Sequence, residues 1–442
     1  MNFSARFLGL LAVVSLLATG TLFAGGYQLN EQNARAVGMG GAFAATASDP
    51  SAIYFNPAGL AFQDGFNVLG GINFIQPYSS FAPEQNGPLA NYPNYNTKPQ
   101  IFTPFNIYAS YKLSDKIAVG LGVYTPFGLG TQWPDQWGRL NNGGPYIGSY
   151  LSVNANIATY YFNPTVAYKI SDNLSIGVGV SYVYGTVDMT KNIPWKLLGF
   201  PHDTSAYASN ELKGTGTGFN ANIGVIWKPI NGLSLGLSYR MKTDMDFSGN
   251  ATFSNVFPPV AAAFPGGTGK ATLPLPGNAY FGVADQVTTD LRLECDLQWV
   301  QWSAYNQLQI NITPVTAGQG TTTYKKNWLD KPIVRIGAEY TVSDKWTIRG
   351  GLVEDFTPQP GVVTEPMLPD ANRTDFTIGA SYKITEKLYV DAAFMFVKFA
   401  DKISPDFNIP GSPTYTTNAT MTIPGTYSSN ANVLSVNLGY NF

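Results

Sequence analysis

The chain has 442 residues, a formal net charge of -2, 12% charged against 14% aromatic side chains, and a mean hydropathy of -0.04. Soluble domains are about one-quarter charged, so an ordinary water-soluble globule is disfavoured, and so slight a net charge gives no ground for a nucleic-acid partner. With 1 His and 1 Cys, neither an intrachain disulfide nor a Cys/His metal cluster can be built, so no cofactor, metal or enzymatic activity is expected.

Residues 1–24 read as a signal peptide: Arg6 is the basic start, Phe7 to Leu17 the apolar core, and Thr19 to Ala24 the small-residue exit. Beyond them no run approaches the ~20 apolar residues of a helical membrane span. Residues 25–63 do not read as strands. Small residues dominate Ala34 to Ser51, and the segment ends in Tyr54-Phe55-Asn56-Pro57-Ala58-Gly59-Leu60.

From residue 64 to 442 the pattern changes. An aromatic residue, a short polar turn and an alternating strand recur as one unit at Tyr111 to Ile117, Tyr168 to Leu174, Trp227 to Leu233, Tyr340 to Trp346 and Tyr382 to Leu388, and more weakly at Val287 to Leu291. After Leu174, the residues Ile176, Val178, Val180 and Tyr182 alternate with Ser175, Gly177, Gly179 and Ser181, which is the period of a strand with one greasy face. Each unit is a tight hairpin. The opposite connections are long and rich in Pro, Gly and Asn. Short turns at one end and long loops at the other predict an all-β fold, a transmembrane antiparallel β-barrel.

About fourteen strands can be laid down at barrel spacing, beginning near Phe66, Gln100, Ile117, Asn154, Leu174, Glu211, Leu233, Lys270, Leu291, Thr322, Trp346, Arg373, Leu388 and Ala431. A barrel of that size encloses more space than its own side chains fill, and residues 25–63 are the natural N-terminal hatch, a plug inside the lumen. The final strand, with Leu434, Val436, Leu438, Tyr440 and Phe442 on one face, resembles the assembly signal of bacterial outer-membrane barrels. That resemblance implies the barrel-assembly machinery and outer-membrane lipid as partners, and a monomer is expected.

Gly26-Tyr27-Gln28-Leu29-Asn30-Glu31-Gln32, Ala36-Val37-Gly38 and the run from Asp49 through Asn56-Pro57-Ala58 to Leu60 resemble the N-terminal hatch of the FadL/TodX family. Trp299 to Ser303, Gly249-Asn250 and the terminal strand extend the likeness over the mature chain. The resemblance implies transport of long-chain fatty acids or other hydrophobic compounds across the outer membrane. Ligand is captured on apolar loops, held in a lumenal pocket and released sideways where the third strand kinks.

For capture the chain offers Ile193, Trp195, Leu197, Leu198 and Phe200 in one loop, and Val256, Phe257, Val260 and Phe264 in another. Apolar loops of this kind present a water-facing patch, unless they pack on one another to cap the barrel. At the kink, Pro126, Phe127, Gly128 and Gly130 follow a clean third strand, and neither Pro nor Gly suits a central ladder; the alternative is that the strand ends at Tyr124. In the hatch, Asn56 and Pro57 set a rigid turn ahead of Ala58. The family's N-terminal residues enter the ligand pocket, which here implies Gly25, Gly26 and Tyr27.

Alternation assigns Arg240, Lys242, Arg292, Glu294, Asp296, Arg335, Glu339, Arg349 and Asp391 to the lumen, as a mixed-sign network bracing the hatch. Arg240 lies farther along its strand and is the candidate for a ligand carboxylate. One departure bears on the ligand. Fatty-acid members have a basic residue after the position of Val183-Tyr184, where this chain has Gly185 and Thr186, leaving room for neutral hydrocarbons or aromatics. The rival function is a general diffusion porin for small polar solutes, which favours a charged constriction over a hatch. Catalysis is disfavoured because the sole histidine, His202, lies in a Pro-flanked loop.

Overall fold

The computed structural model describes residues 26–87, 89–141, 143–199, 207–404 and 422–442. Gly25, Phe200 and His202 lie outside them, and only the backbone of Leu197 and Leu198 is described. Strand segments among these residues join into fourteen antiparallel spans of one closed barrel.

β1 (Phe66–Pro83) pairs with β2 (Phe105–Lys112), and β2 pairs with β3, which runs Ile117–Tyr124 and resumes as Gly128–Gln132. Three long strands follow, β4 (Asn154–Ser171), β5 (Leu174–Pro194) and β6 (Tyr207–Ile230). The next four are each interrupted: β7 (Leu233–Arg240, Thr243–Ser254), β8 (Gly267–Leu275, Asn278–Gln286), β9 (Leu291–Val300, Gln307–Thr313) and β10 (Thr321–Lys325, Lys331–Thr341). β11 (Trp346–Asp355), β12 (Arg373–Lys383), β13 (Leu388–Phe399) and β14 (Gly425–Asn441) complete the circuit, and β14 pairs back onto β1 from Asn441 with Asn67 to Gly425 with Pro83. The circuit is thereby closed, as lipid requires of a strand-built wall.

The period of two sorts the side chains. Val180, Phe219 and Ile378 point outward and are 62%, 77% and 66% exposed, an exposure suited to lipid contact. Tyr111, Tyr168, Trp227, Tyr340 and Trp346, also exposed, stand beside the short turns and form the aromatic girdle of one interface. Several strands start before their sequence-predicted positions, as at Tyr207 and Gly425, because pairing continues past the apolar alternation into polar residues above the lipid. β2 starts later than predicted, at Phe105 rather than Gln100.

Residues 26–62 are almost wholly buried. They contain α1 (Ala34–Gly38), α2 (Ala52–Phe55) and a 3-10 turn (Pro57–Phe62). α1 packs against β11 to β14, and the turn packs against β2 to β6, so the segment touches opposite walls. Inward glycines admit it: a Cβ on Gly224 would fall 2.1 Å from Asn56 Oδ1.

Candidate functional site

At the third strand the wall changes construction. Tyr124 pairs with Tyr161 and Gly128 with Ala158, so Thr125, Pro126 and Phe127 face only Thr159 and Tyr160. One extra residue makes a bulge, and the strand bends. Toward β2 the ladder ends with Tyr124 opposite Asn106. Backbone groups freed here would be costly in lipid, and the N-terminal segment satisfies them. Leu29 N–H donates to Pro126 O (2.8 Å), Gly128 N–H to Tyr27 O (3.0 Å) and Gln32 Nε2 to Thr125 O (2.9 Å). Phe102 covers Gly130 so closely that a Cβ there would meet its ring at 1.9 Å. Lys98 N–H bonds Gln132 O at 2.7 Å. Thr125 Oγ1 also donates to Phe105 O at 3.4 Å and Gln100 Nε2 to Gln132 Oε1 at 3.4 Å, so between Tyr124 and Gln132 side-chain contacts and an outer tether stand in for a ladder toward β2.

On the facing wall, Arg240 pairs with Asn278, Asn278 with Val300 and Val300 with Lys331. β7, β8, β9 and β10 are all interrupted beside this row. The interruptions supply Trp302, Tyr305 and Trp328, all buried. Tyr27 sits among them, its ring centroid 4.8 Å from Trp302, 5.8 Å from Tyr305 and 6.1 Å from Trp328, and its hydroxyl donates to Pro274 O at 2.7 Å. Gly26 N–H donates to Asp370 Oδ1 at 3.2 Å.

Three cavities lie in series along these features. The outermost, with about 1500 Å³ of empty space partly open to solvent, is bordered by Ile193, Phe253, Phe264 and Tyr324. It shares Met189, Leu212, Ile310, Glu365 and Met367 with an inner pocket, whose empty space of about 800 Å³ is also partly open to solvent. That pocket is lined by Phe247, Leu273, Tyr305 and Leu308, and exists because Gly214, Gly249 and Gly269 stand in register on β6, β7 and β8 and leave the sheet bare. The pocket in turn shares Tyr27, Leu129, Ile157 and Leu368 with a third cavity, about 1390 Å³ of empty space partly open to solvent, bordered by Phe102, Phe105, Phe127, Gly128 and Gly130. Tyr27 therefore stands between the pocket and the break in the wall.

A family model described as "Outer membrane protein transport protein (OMPP1/FadL/TodX)" matches residues 15–442. The chain belongs to this family. It is an outer-membrane protein, and the family is one of transporters and channels rather than enzymes. Outer membrane protein P1 of Haemophilus influenzae is 26% identical, with 98% of each chain covered, and the long-chain fatty acid transport protein of Escherichia coli K12 is 24% identical, covering 88% of this chain and 91% of the relative. A FadL homologue of Pseudomonas aeruginosa superposes with a TM-score of 0.80 at 21% identity, over 95% of this chain and all of that one. The toluene transporter TodX of Pseudomonas putida gives 0.72 at 16% identity, over 96% and 100%. At such identities the structural likenesses establish the shared fold.

Asn56 caps the turn by accepting from Ala58 N–H at 3.2 Å, and its Nδ2 donates to Ala44 O (2.8 Å) and Val225 O (3.1 Å). Pro57 lies against Gly177. The expected bracing contacts are present. Asp296 accepts from Phe43 and Ala44 N–H, Glu294 from Ala45 and Thr46 N–H, and Glu339 binds Arg35, Arg292 and Arg349. Arg335 donates to Gly40 O. Arg240 is buried, bonds Asn220, Ile53 O and Tyr54 O, and has Tyr54, Tyr124 and Tyr161 rings within 6 Å. It grips the end of α2.

Lys242 corrects the alternation: it is exposed and pairs with Asp244 at 2.9 Å, because the interruption at Met241 and Lys242 ends the count of two. The loop aromatics also differ from a water-facing patch. Trp195 is buried, with Phe257 and Phe264 at 6.4 and 5.9 Å, so the two loops pack on each other above the outer cavity. Reading along the sequence missed Trp302, Tyr305, Trp328 and the Lys326–Glu365 ion pair. Pro276-Gly277 and the Gln301-Trp302-Ser303 run, which interrupt otherwise regular strands, were the available signals.

Proposed function

We propose that the protein carries hydrophobic compounds inward across the outer membrane, along the three cavities. Ligand enters the outer cavity under the paired loops, moves into the inner pocket, passes Tyr27 and leaves sideways between β2 and the bent β3. The observation that supports this reading is the series itself: each cavity shares lining residues with the next, and the last is bordered by Phe102, Phe105, Gly128 and Gly130, beyond the point where the ladder between β2 and β3 has ended. Burial of each ligand methylene in such a pocket is worth about 0.8 kcal/mol, so an alkyl chain or an aromatic ring needs no dedicated polar partner. The relatives' names, a long-chain fatty acid transport protein and a toluene transporter, support the same class of cargo. Residues 25–63 act as the hatch, with Arg240 as one of its clamps and Tyr27 as its movable tip.

The test joins two measurements on one protein. Purified and inserted in planar bilayers, the barrel is expected to be nearly silent, and cells lacking it are expected to lose uptake of a labelled hydrocarbon or fatty acid. A wide, ohmic, steady conductance with unchanged hydrophobe uptake would identify a porin instead.

A further inference from the structure

Lys326 and Glu365 form an ion pair at the junction of the outer cavity and the inner pocket. Their burial is unequal. The lysine side chain is 1% accessible and the glutamate 9%, and Glu365 borders both cavities whereas Lys326 borders neither. The acid stands on the cavity side and the base behind it. Tyr305 and Tyr324 rings lie 5.6 and 5.7 Å from the ammonium, and the loop bearing Glu365 is folded back by a bridge to Leu368. Lys213 and Lys270, which also border the pocket, are exposed and occupy outward positions on their strands. Lys191, in the outer cavity, donates to Tyr324 Oη.

A buried ammonium stripped of its partner is strongly disfavoured, so Lys326 keeps a carboxylate. A ligand carboxylate arriving at this junction must displace Glu365 or lie beside it, and two carboxylates at one low-dielectric site disfavour each other's ionisation. An alcohol, hydrocarbon or arene meets no such penalty.

We propose that Glu365 makes the inner pocket selective for uncharged hydrophobic ligands, by taking with its own carboxylate the ammonium that a fatty carboxylate would otherwise engage. This assignment rests on the route proposed above. Displacement of a neutral naphthylamine fluorophore from the full barrel held in amphipol, well above the carboxyl range of pH, compares dodecanol with dodecanoate. The wild type is expected to bind dodecanol at least about tenfold more tightly. Glu365→Gln is expected to shift the ratio toward dodecanoate by about tenfold or more. The double variant Lys326→Met with Glu365→Leu, which removes both charges, is expected to show no shift of the ratio toward dodecanoate. Should Glu365→Gln fail to fold, the wild-type ratio and the double variant decide. Equal binding of the two ligands by the wild type, an unchanged ratio in folded Glu365→Gln, or a dodecanoate gain in the double variant would overturn the assignment. A wild type that binds neither ligand would overturn the route instead.

Discussion

Asn56 does the work of several residues because its amide both accepts and donates. Replacement by alanine leaves Ala44 O and Val225 O short of a buried donor, at about 1–3 kcal/mol for each unsatisfied group. Asn56→Ala is therefore expected to yield a folded barrel whose N-terminal segment is cut by protease added to the purified protein, with hydrophobe uptake lost. Asp370 offers a second handle. Burial, with Asp355 nearby, pushes its carboxyl from near 3.8 up to about 7, against the lowering effects of Thr357, Arg373 and Lys402. A raised acid favours the proton-bound folded state. Its contribution is present below the ordinary carboxyl range and is lost as pH climbs toward about 7. The thermal midpoint should fall across that interval in the wild type and fall less in Asp370→Asn, which can still accept from Gly26 N–H. Equal slopes in the two proteins would remove Asp370 from the account.

At the scale of elements, the bulge in β3 is a matter of counting: three residues against two. Deleting Pro126 equalises the count, and the strand is expected to straighten and continue its ladder. A barrel that folds with its usual heat-modifiable mobility yet no longer delivers hydrophobe to the cell is the expected result; undiminished delivery would exclude exit at this place. These local features were legible in the chain because their causes are local. Pro126, Gly128, Gly130 and Asn56-Pro57 declare themselves by backbone chemistry, and the spans by their period of two. What was illegible depends on register between distant strands. Trp302 and Trp328 meet Tyr27 only because β7 to β10 are interrupted at one level, and Glu365 finds Lys326 across a loop. Lys242 was misplaced because alternation cannot be counted through an interruption whose position is unknown.

For the whole molecule, closure joins the chain's last residue to its first strand. Phe442 N–H donates to Phe66 O at 2.9 Å, and the two rings are 4.9 Å apart. Removing Phe442 alone is expected to reduce the folded, heat-modifiable form in outer membranes by more than half, with little effect on the thermal midpoint of whatever does assemble. An equal yield would argue that the terminal aromatic is dispensable for insertion. The shared use of backbone between Leu29, Tyr27 and the bent third strand has a wider implication. The N-terminal segment and the wall are not separable parts, since Tyr27 and Leu29 supply hydrogen-bond partners that the neighbouring strand does not. A truncated version would not be a clean open pipe for biotechnology. It would be a leaky hull with bare amides toward the oil, and sheet integrity itself would wait on the first residues being tucked inside.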